Sequence, residues 1–245
     1  MSDDAGATRR TVRWLLSAQL MLALGLILVD LAPSLPSLVA PSQQPEMDLP
    51  TRPGDQTRRY RPRDPANPGP GVSPDMPRRL LAETSDINGA SGLSLRGAIA
   101  PGDGARIATI LLENRPEIVT LDSPGGSVMD AMEIGRTLRE IGAETRLAGA
   151  AVCFSACPYV FVGGTERTAS DDARLGVHQH SFGESTVLPA FLAVEDIQRG
   201  QAEVLAHLDE MGIDLRLMGP ALATPSDEIY ILTVDELRTW KLVTK

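Results

Sequence analysis

The stretch Glu117-Ile-Val-Thr-Leu-Asp-Ser-Pro-Gly-Gly-Ser-Val128 decides how this chain is read. Residues 117–122 form a short, β-branched apolar run, the pattern of a buried strand. A glycine turn follows. Ser127, with Asp130 three residues on, then opens a helix through a capping box that carries Asp in the acidic slot. Val128, Ala131, Gly135 and Leu138 recur at helical spacing on one stripe, and Gly142 ends the helix. A strand that passes through a glycine turn into an amphipathic helix is a building unit of α/β domains. In such domains sites form at the carboxyl ends of strands.

Working outward, residues 92–99 alternate like a half-buried strand. Pro101-Gly-Asp-Gly104 reads as a turn, with Asp103 capping a helix to about Asn114. Thr145–Val152 reads as one strand, and residues 155–162 as a short apolar helix closed by Gly163-Gly164. Pro158 is tolerated there because it falls in the first turn. Leu175–Gln179 is another strand, and residues 194–211 a long helix ending at Gly212. Strand and helix alternate throughout, so the expected fold class is α/β with parallel strands.

Three separated segments describe one reaction: Asp122–Ser127, Cys153-Phe-Ser-Ala-Cys157 and Gly176-Val-His-Gln179. The first is a donor turn, the second puts Ser155 at a chain corner, and the third puts His178 at the end of an apolar strand. A serine hydroxyl is a poor nucleophile unless its proton is taken as it attacks, and general-base help is worth roughly 10²–10⁴ in rate. A backbone N–H aimed at the developing oxyanion adds roughly 10²–10³. Plainer readings stand beside these: Ser155 as a helix cap, His178 as a buried strand histidine, and the glycine turn as a tight connection. His180 shares a strand face with His178 and reads as a rim residue, while His207 reads as a solvated helix position.

Residues 14–32 are apolar except for Ser17, Gln19 and Asp30, and at about 1.5 Å per residue they approach the ~30 Å bilayer core. Arg9, Arg10 and Arg13 precede them, and Asp30, Glu46 and Asp48 follow, so the positive-inside rule keeps residues 1–13 cytoplasmic. The expectation is a single-pass signal anchor in the cytoplasmic (inner) membrane, with the C-terminal domain on the exported, periplasmic side. A cleaved signal peptide is the alternative, although no clean cleavage site is visible, and Thr8-Arg-Arg10 gives a weak twin-arginine hint. Residues 33–79 follow as a Pro-rich spacer with almost no aliphatic content beyond its first residues, which predicts disorder. The spacer's run Arg58-Arg-Tyr-Arg-Pro-Arg63 suits a soluble linker or contact with anionic lipid.

Residues 80–245 suffice for one domain with a core of its own. They carry 13 Lys+Arg against 24 Asp+Glu, a net charge of −11, which repels nucleic acid. No basic patch with interleaved aromatics and no internal repeat is present. No cofactor and no metal are expected.

With these motifs in order, the chain resembles the Clp-protease/crotonase superfamily of spiral β-β-α folds. The likeness is to exported, membrane-anchored homologues of the Clp proteolytic subunit, over residues 92–245. It rests on residues 121–128, on Ser155 after a strand of small residues, on Gly176-Val-His-Gln179 and on the tail Tyr230-Ile-Leu-Thr-Val-Asp-Glu-Leu237. The resemblance implies Ser155 as nucleophile, His178 as general base, and the N–H groups of Gly126 and Ala156 as oxyanion hole. It implies a peptide or protein substrate, and self-association into homo-oligomers. The third catalytic member departs from the pattern. No carboxylate lies around Ala223-Thr224-Pro225, and Asp227 is the nearest candidate.

The expected function is therefore a membrane-anchored serine hydrolase, a peptidase by class, working through an acyl-enzyme on Ser155. A catalytically inactive Clp-like binding or scaffold domain is the alternative. A crotonase-like protein that holds acyl thioesters on the glycine turn is a third. Cys153 and Cys157 bracket Ser155 and leave three readings open: a disulfide, two buried thiols, or a metal pair with His178 and His180.

Overall fold

The computed structural model describes residues 4–31, 56–60, 71–87, 89–180 and 190–245. The chain divides into two units, Met1–Glu46 and Met47–Lys245. The first contains one 28-residue helix, α1 (Asp4–Leu31). Its large apolar side chains are exposed, Trp14 at 74% and Met21 at 75% among them. Among the described residues no helix is long and apolar enough to cross a membrane. The end of the expected 14–32 span, the side chains of residues 27–32, lies outside them.

The second unit is mixed α/β with two mixed sheets. In chain order it contains β1 (Thr57–Arg59), β2 (Leu81–Ile87), β3 (Ala90–Arg96), α2 (Asp103–Asn114), β4 (Ile118–Asp122) and α3 (Val128–Ile141). Next come β5 (Glu144–Leu147), β6 (Val152–Phe154), α4 (Cys157–Phe161), β7 (Arg167–Ala169), β8 (Arg174–Val177) and α5 (Ala190–Glu210). A 3₁₀ turn (Leu215–Leu217), α6 (Met218–Ala223), β9 (Glu228–Ile231) and α7 (Val234–Thr239) complete it.

The larger sheet has the order β2-β3-β4-β5-β7, with β3, β4, β5 and β7 parallel and β2 antiparallel on its edge. The smaller sheet has the order β1-β9-β8-β6, in which β6 and β8 are parallel and β9 runs against β8. The run expected as one strand, Thr145–Val152, is split: β5 joins the larger sheet and β6 the smaller. Small residues Ala148-Gly-Ala-Ala151 let the chain step across between them. The pair β7–β8 repeats the step, so twice a strand in each sheet is followed by a helix, first α4 and then α5. Ser123, just past β4, bridges Cys153 of β6 and makes the same crossing in one residue.

Two apolar clusters follow from this layering. The main core lies among Leu93, Val119, Met132, Leu138, Cys153, Phe161, Leu175, Val177 and the helices, with α5 giving Val204 and Leu208. Alternation along β6 sends Val152 and Phe154 to the opposite face, where they meet Ile229, Ile231, Tyr60 and Val72. This corrects the expectation of a disordered spacer through residue 79, of which residues 33–55 and 61–70 lie outside the described residues. Thr57–Arg59 instead adds to β9, and Tyr60, Val72 and Met76 cover the second face of the smaller sheet. Isolated apolar residues among Arg and Pro carry no periodicity, and the sheet face they cover decides their burial.

Capping follows the sequence at both ends of α3 and departs from it at α2. Ser127 caps α3 and accepts from the Asp130 N–H, Gly142 ends α3 in the left-handed region, and Thr233 with Glu236 forms a full capping box on α7. Asp103 is not the cap of α2, which is Gly102. Its buried carboxylate instead accepts from the Leu80 and Ala100 N–H groups and pairs with Arg79 and Arg106.

Candidate functional site

The carboxyl ends of β6 and β8 stand side by side. Phe154 pairs with Gly176, and the Ser155 N–H extends the ladder by donating to the Gly176 carbonyl at 3.0 Å. Ser155 and His178 therefore end neighbouring parallel strands. Ser155 does not cap the following helix; the cap position is Ala156, with no side-chain bond. Ser155 sits instead at φ 60°, a left-handed conformation that L residues reach at a cost of roughly 1–2 kcal/mol. Such strain at a non-glycine residue is a feature of functional corners.

The glycine turn comes up against this corner. The Ser123 hydroxyl accepts from the Gly125 N–H at 3.1 Å, and the Ser123 backbone exchanges bonds with Val152 and Phe154 at 2.8 and 3.0 Å. Asp122 accepts from the Val152 N–H at 3.1 Å and pairs with Arg96, tying the turn to both sheets. A Cβ on Gly125 (φ +91°) would lie 2.6 Å from the Ser155 Cβ and 2.8 Å from the Ala156 nitrogen. Glycine is required there because the two segments touch backbone to backbone. Neither the Gly126 N–H nor the Ala156 N–H donates a hydrogen bond among the described residues. Two unspent donors beside a strained serine are what an oxyanion needs.

His178 is buried at 7% exposure, and neither ring nitrogen completes a hydrogen bond among the described residues. Burial first, and the nearby His180 second, hold its pKa down to about 4, while the backbone of Ser226 and Pro225 opposes the shift. That backbone therefore stands beside the ring without completing a hydrogen bond to it. At neutral pH the imidazole is therefore uncharged, and the burial that keeps it so also makes it a weaker base than a free histidine. Asp227 is not brought to it. Its side chain is exposed, and its carbonyl accepts from the Tyr60 N–H at 2.8 Å.

His180 parts from His178 because β8 ends at Val177 and the alternation ends with it. Its Nε2 meets the Tyr159 hydroxyl at 2.9 Å. His207, expected in solvent, is fully buried with Nε2 3.0 Å from the Tyr159 carbonyl. The register of α5 points it inward, opposite Gly135, where the absent side chain leaves room. Cys153 and Cys157 form a disulfide, Cα–Cα 5.0 Å, which closes a loop around Ser155.

Two contributors escape a reading of the sequence. Ser123 shapes the donor turn, and its signal is the serine placed ahead of Pro-Gly-Gly. Tyr60 lies edge-on to both His178 and Phe154, with ring centroids 5.4 and 5.6 Å apart, and its hydroxyl donates to the Pro124 carbonyl. The one hint was an aromatic residue in a stretch with few apolar side chains. No protein-family model matches this chain, and no curated protein matches it.

Proposed function

We propose that the Met47–Lys245 unit is a serine hydrolase of Clp/crotonase-like class, a peptidase by mechanism, held at a membrane by residues 14–32. The observation that carries this reading is the left-handed Ser155 at the carboxyl end of β6. It lies beside the strand that ends in a neutral His178 and against the two unspent N–H groups.

In this reading the Ser155 hydroxyl attacks a substrate carbonyl while His178 takes its proton. The Gly126 and Ala156 N–H groups hold the oxyanion. His178 returns the proton to the departing amine, and water, deprotonated by the same ring, releases the acyl group from Ser155. The repeated strand–strand–helix step supports the spiral β-β-α class. Apolar side chains exposed along α1 support a lipid-facing anchor, since contiguous exposed apolar surface favours contact with a membrane or a partner.

A second reading has an observation of its own. Asp227 is exposed, and no side chain among the described residues hydrogen-bonds to the His178 ring, which suits an inactive binding domain of the same architecture. Prolonged exposure of the full, oxidised chain to a fluorophosphonate probe separates the two. Labelling at Ser155 that is lost in folded Ser155→Ala and His178→Ala supports the hydrolase. An unlabelled but folded chain supports the binding domain.

A further inference from the structure

Tyr60 occupies the place where the three motif segments converge. Its ring edge meets Phe154, the residue before the serine, and His178, the base. Its hydroxyl is bonded to Pro124, the residue before the glycine pair. It is 1% exposed, and with it in place the base is 7% exposed. Tyr60 arrives on β1, a three-residue antiparallel strand on the outer edge of β9, with Thr57 opposite Tyr230 and Arg59 opposite Glu228. Along this strand Thr57 and Arg59 face out while Arg58 and Tyr60 face in.

This is how an extended peptide binds a sheet edge: main-chain bonds hold it, and alternate side chains enter pockets. A strand of three residues is weak by itself and is drawn from the easily opened end of a structure's stability range. Its attachment to the domain keeps its local concentration high, so the pocket is filled at rest.

On the acyl-transfer reading of the site, we propose that the space bounded by Pro124, Phe154 and His178 is a binding pocket for an aromatic residue of an extended peptide. The resting chain closes that pocket with its own Tyr60. A substrate peptide enters as an added strand on β9 in place of Thr57–Tyr60, and its aromatic ring takes the position of the tyrosine. The strap is thus an occupant of the substrate site as well as a cover for the base.

The test is the rate at which diethyl pyrocarbonate modifies His178 in the full chain, read residue by residue by mass spectrometry. Wild type is expected to react slowly and Tyr60→Ala at least tenfold faster. In Tyr60→Ala, the amidated tetrapeptide Thr-Arg-Arg-Tyr is expected to restore slow modification, and Thr-Arg-Arg-Ala to leave it fast. Equal rates in wild type and Tyr60→Ala overturn the proposal, as does equal protection by both peptides. Should Tyr60→Ala not fold, Tyr60→Phe keeps the ring and loses the bond to Pro124. Its His178 is expected to react severalfold faster than wild type, and an unchanged rate overturns the proposal.

The same samples are probed with fluorophosphonate. Accelerated His178 modification with no Ser155 labelling in any variant retains the pocket and removes the hydrolase. Ser155 labelling at equal rates in wild type and Tyr60→Ala, with His178 equally slow in both, retains the hydrolase and removes the pocket.

Discussion

Ser155 holds its left-handed φ without the freedom of glycine, so its conformation costs stability that the surrounding corner supplies. Ser155→Ala keeps this cost and Ser155→Gly removes it, less the entropy a glycine loses on folding. We expect the glycine variant to be more stable than the alanine variant by about 1 kcal/mol in urea unfolding, and both to be unreactive towards fluorophosphonate. Equal stabilities would mean that the corner carries no strain. His178 gives a second residue-scale expectation. Its folded pKa is about 4, against an ordinary value of 6.5, with burial as the main cause and His180 adding to it. Above pH 6.5 both folded and unfolded chains hold it neutral, and it costs nothing. Between 6.5 and 4 the unfolded chain binds a proton that the folded chain refuses. Stability therefore falls as pH drops through that window, on the order of 3 kcal/mol from this residue. His180 and His207 are also held low by burial and add in the same direction. Urea midpoints measured from pH 7 to pH 4 should fall less steeply for His178→Gln than for wild type. An unchanged slope would assign the acid loss to other groups.

At the scale of elements, the β6–α4 corner is held from both sides. The disulfide joins the middle of β6 to the first residue of α4, and Arg139 of α3 donates to the carbonyls of Val162, Gly163 and Gly164 at the far end of α4. Closing a loop this short removes about 2 kcal/mol of unfolded-chain entropy. We expect the unreduced chain to take up no thiol reagent, and the double variant Cys153→Ala, Cys157→Ala to lose about that much stability. Its Ser155 labelling should also slow, because the turn that presents the hydroxyl loses its clamp. Labelling that is unaffected would make the bridge a stability element alone. Much of this architecture was legible in the chain. The cap at Ser127, the stop at Gly142 and the strand 117–122 are local chemistry, and local chemistry is what a sequence displays. The division of residues 145–152 between two sheets was not legible, because small apolar residues suit a continuous strand as well as a crossing. The burial of His207 was hidden for a related reason. Its environment is set by Gly135 and Tyr159, 72 and 48 residues earlier in the chain.

On the scale of the whole Met47–Lys245 unit, the two faces of the smaller sheet have different owners. The helices and the larger sheet cover one face through Cys153, Leu175 and Val177. The other is covered by Tyr60, Val72 and Met76, from a stretch whose composition alone predicts a spacer. A domain cut at residue 80, the boundary that composition suggests, keeps Val152, Phe154, Ile229 and Ile231 but loses all three of these covering residues. It also removes the outer strand of the smaller sheet and so leaves an unpaired edge at β9 beside an uncovered apolar face. Deleting a buried aromatic side chain alone typically costs about 3–5 kcal/mol. The total stability of a domain this size is on the order of 5–15 kcal/mol, so the loss is a large share of it. We therefore expect a fragment spanning 80–245 to unfold at a markedly lower urea concentration than one spanning 47–245, and to aggregate where the longer fragment stays dispersed. Supplying residues 56–79 as a separate peptide should raise the midpoint of the short fragment, and the same peptide with Tyr60→Ala should raise it much less. Equal midpoints for the two fragments would mean that the second face needs no cover. The stretch would then be a tether that rests on the sheet, and its tyrosine would have no hold on His178.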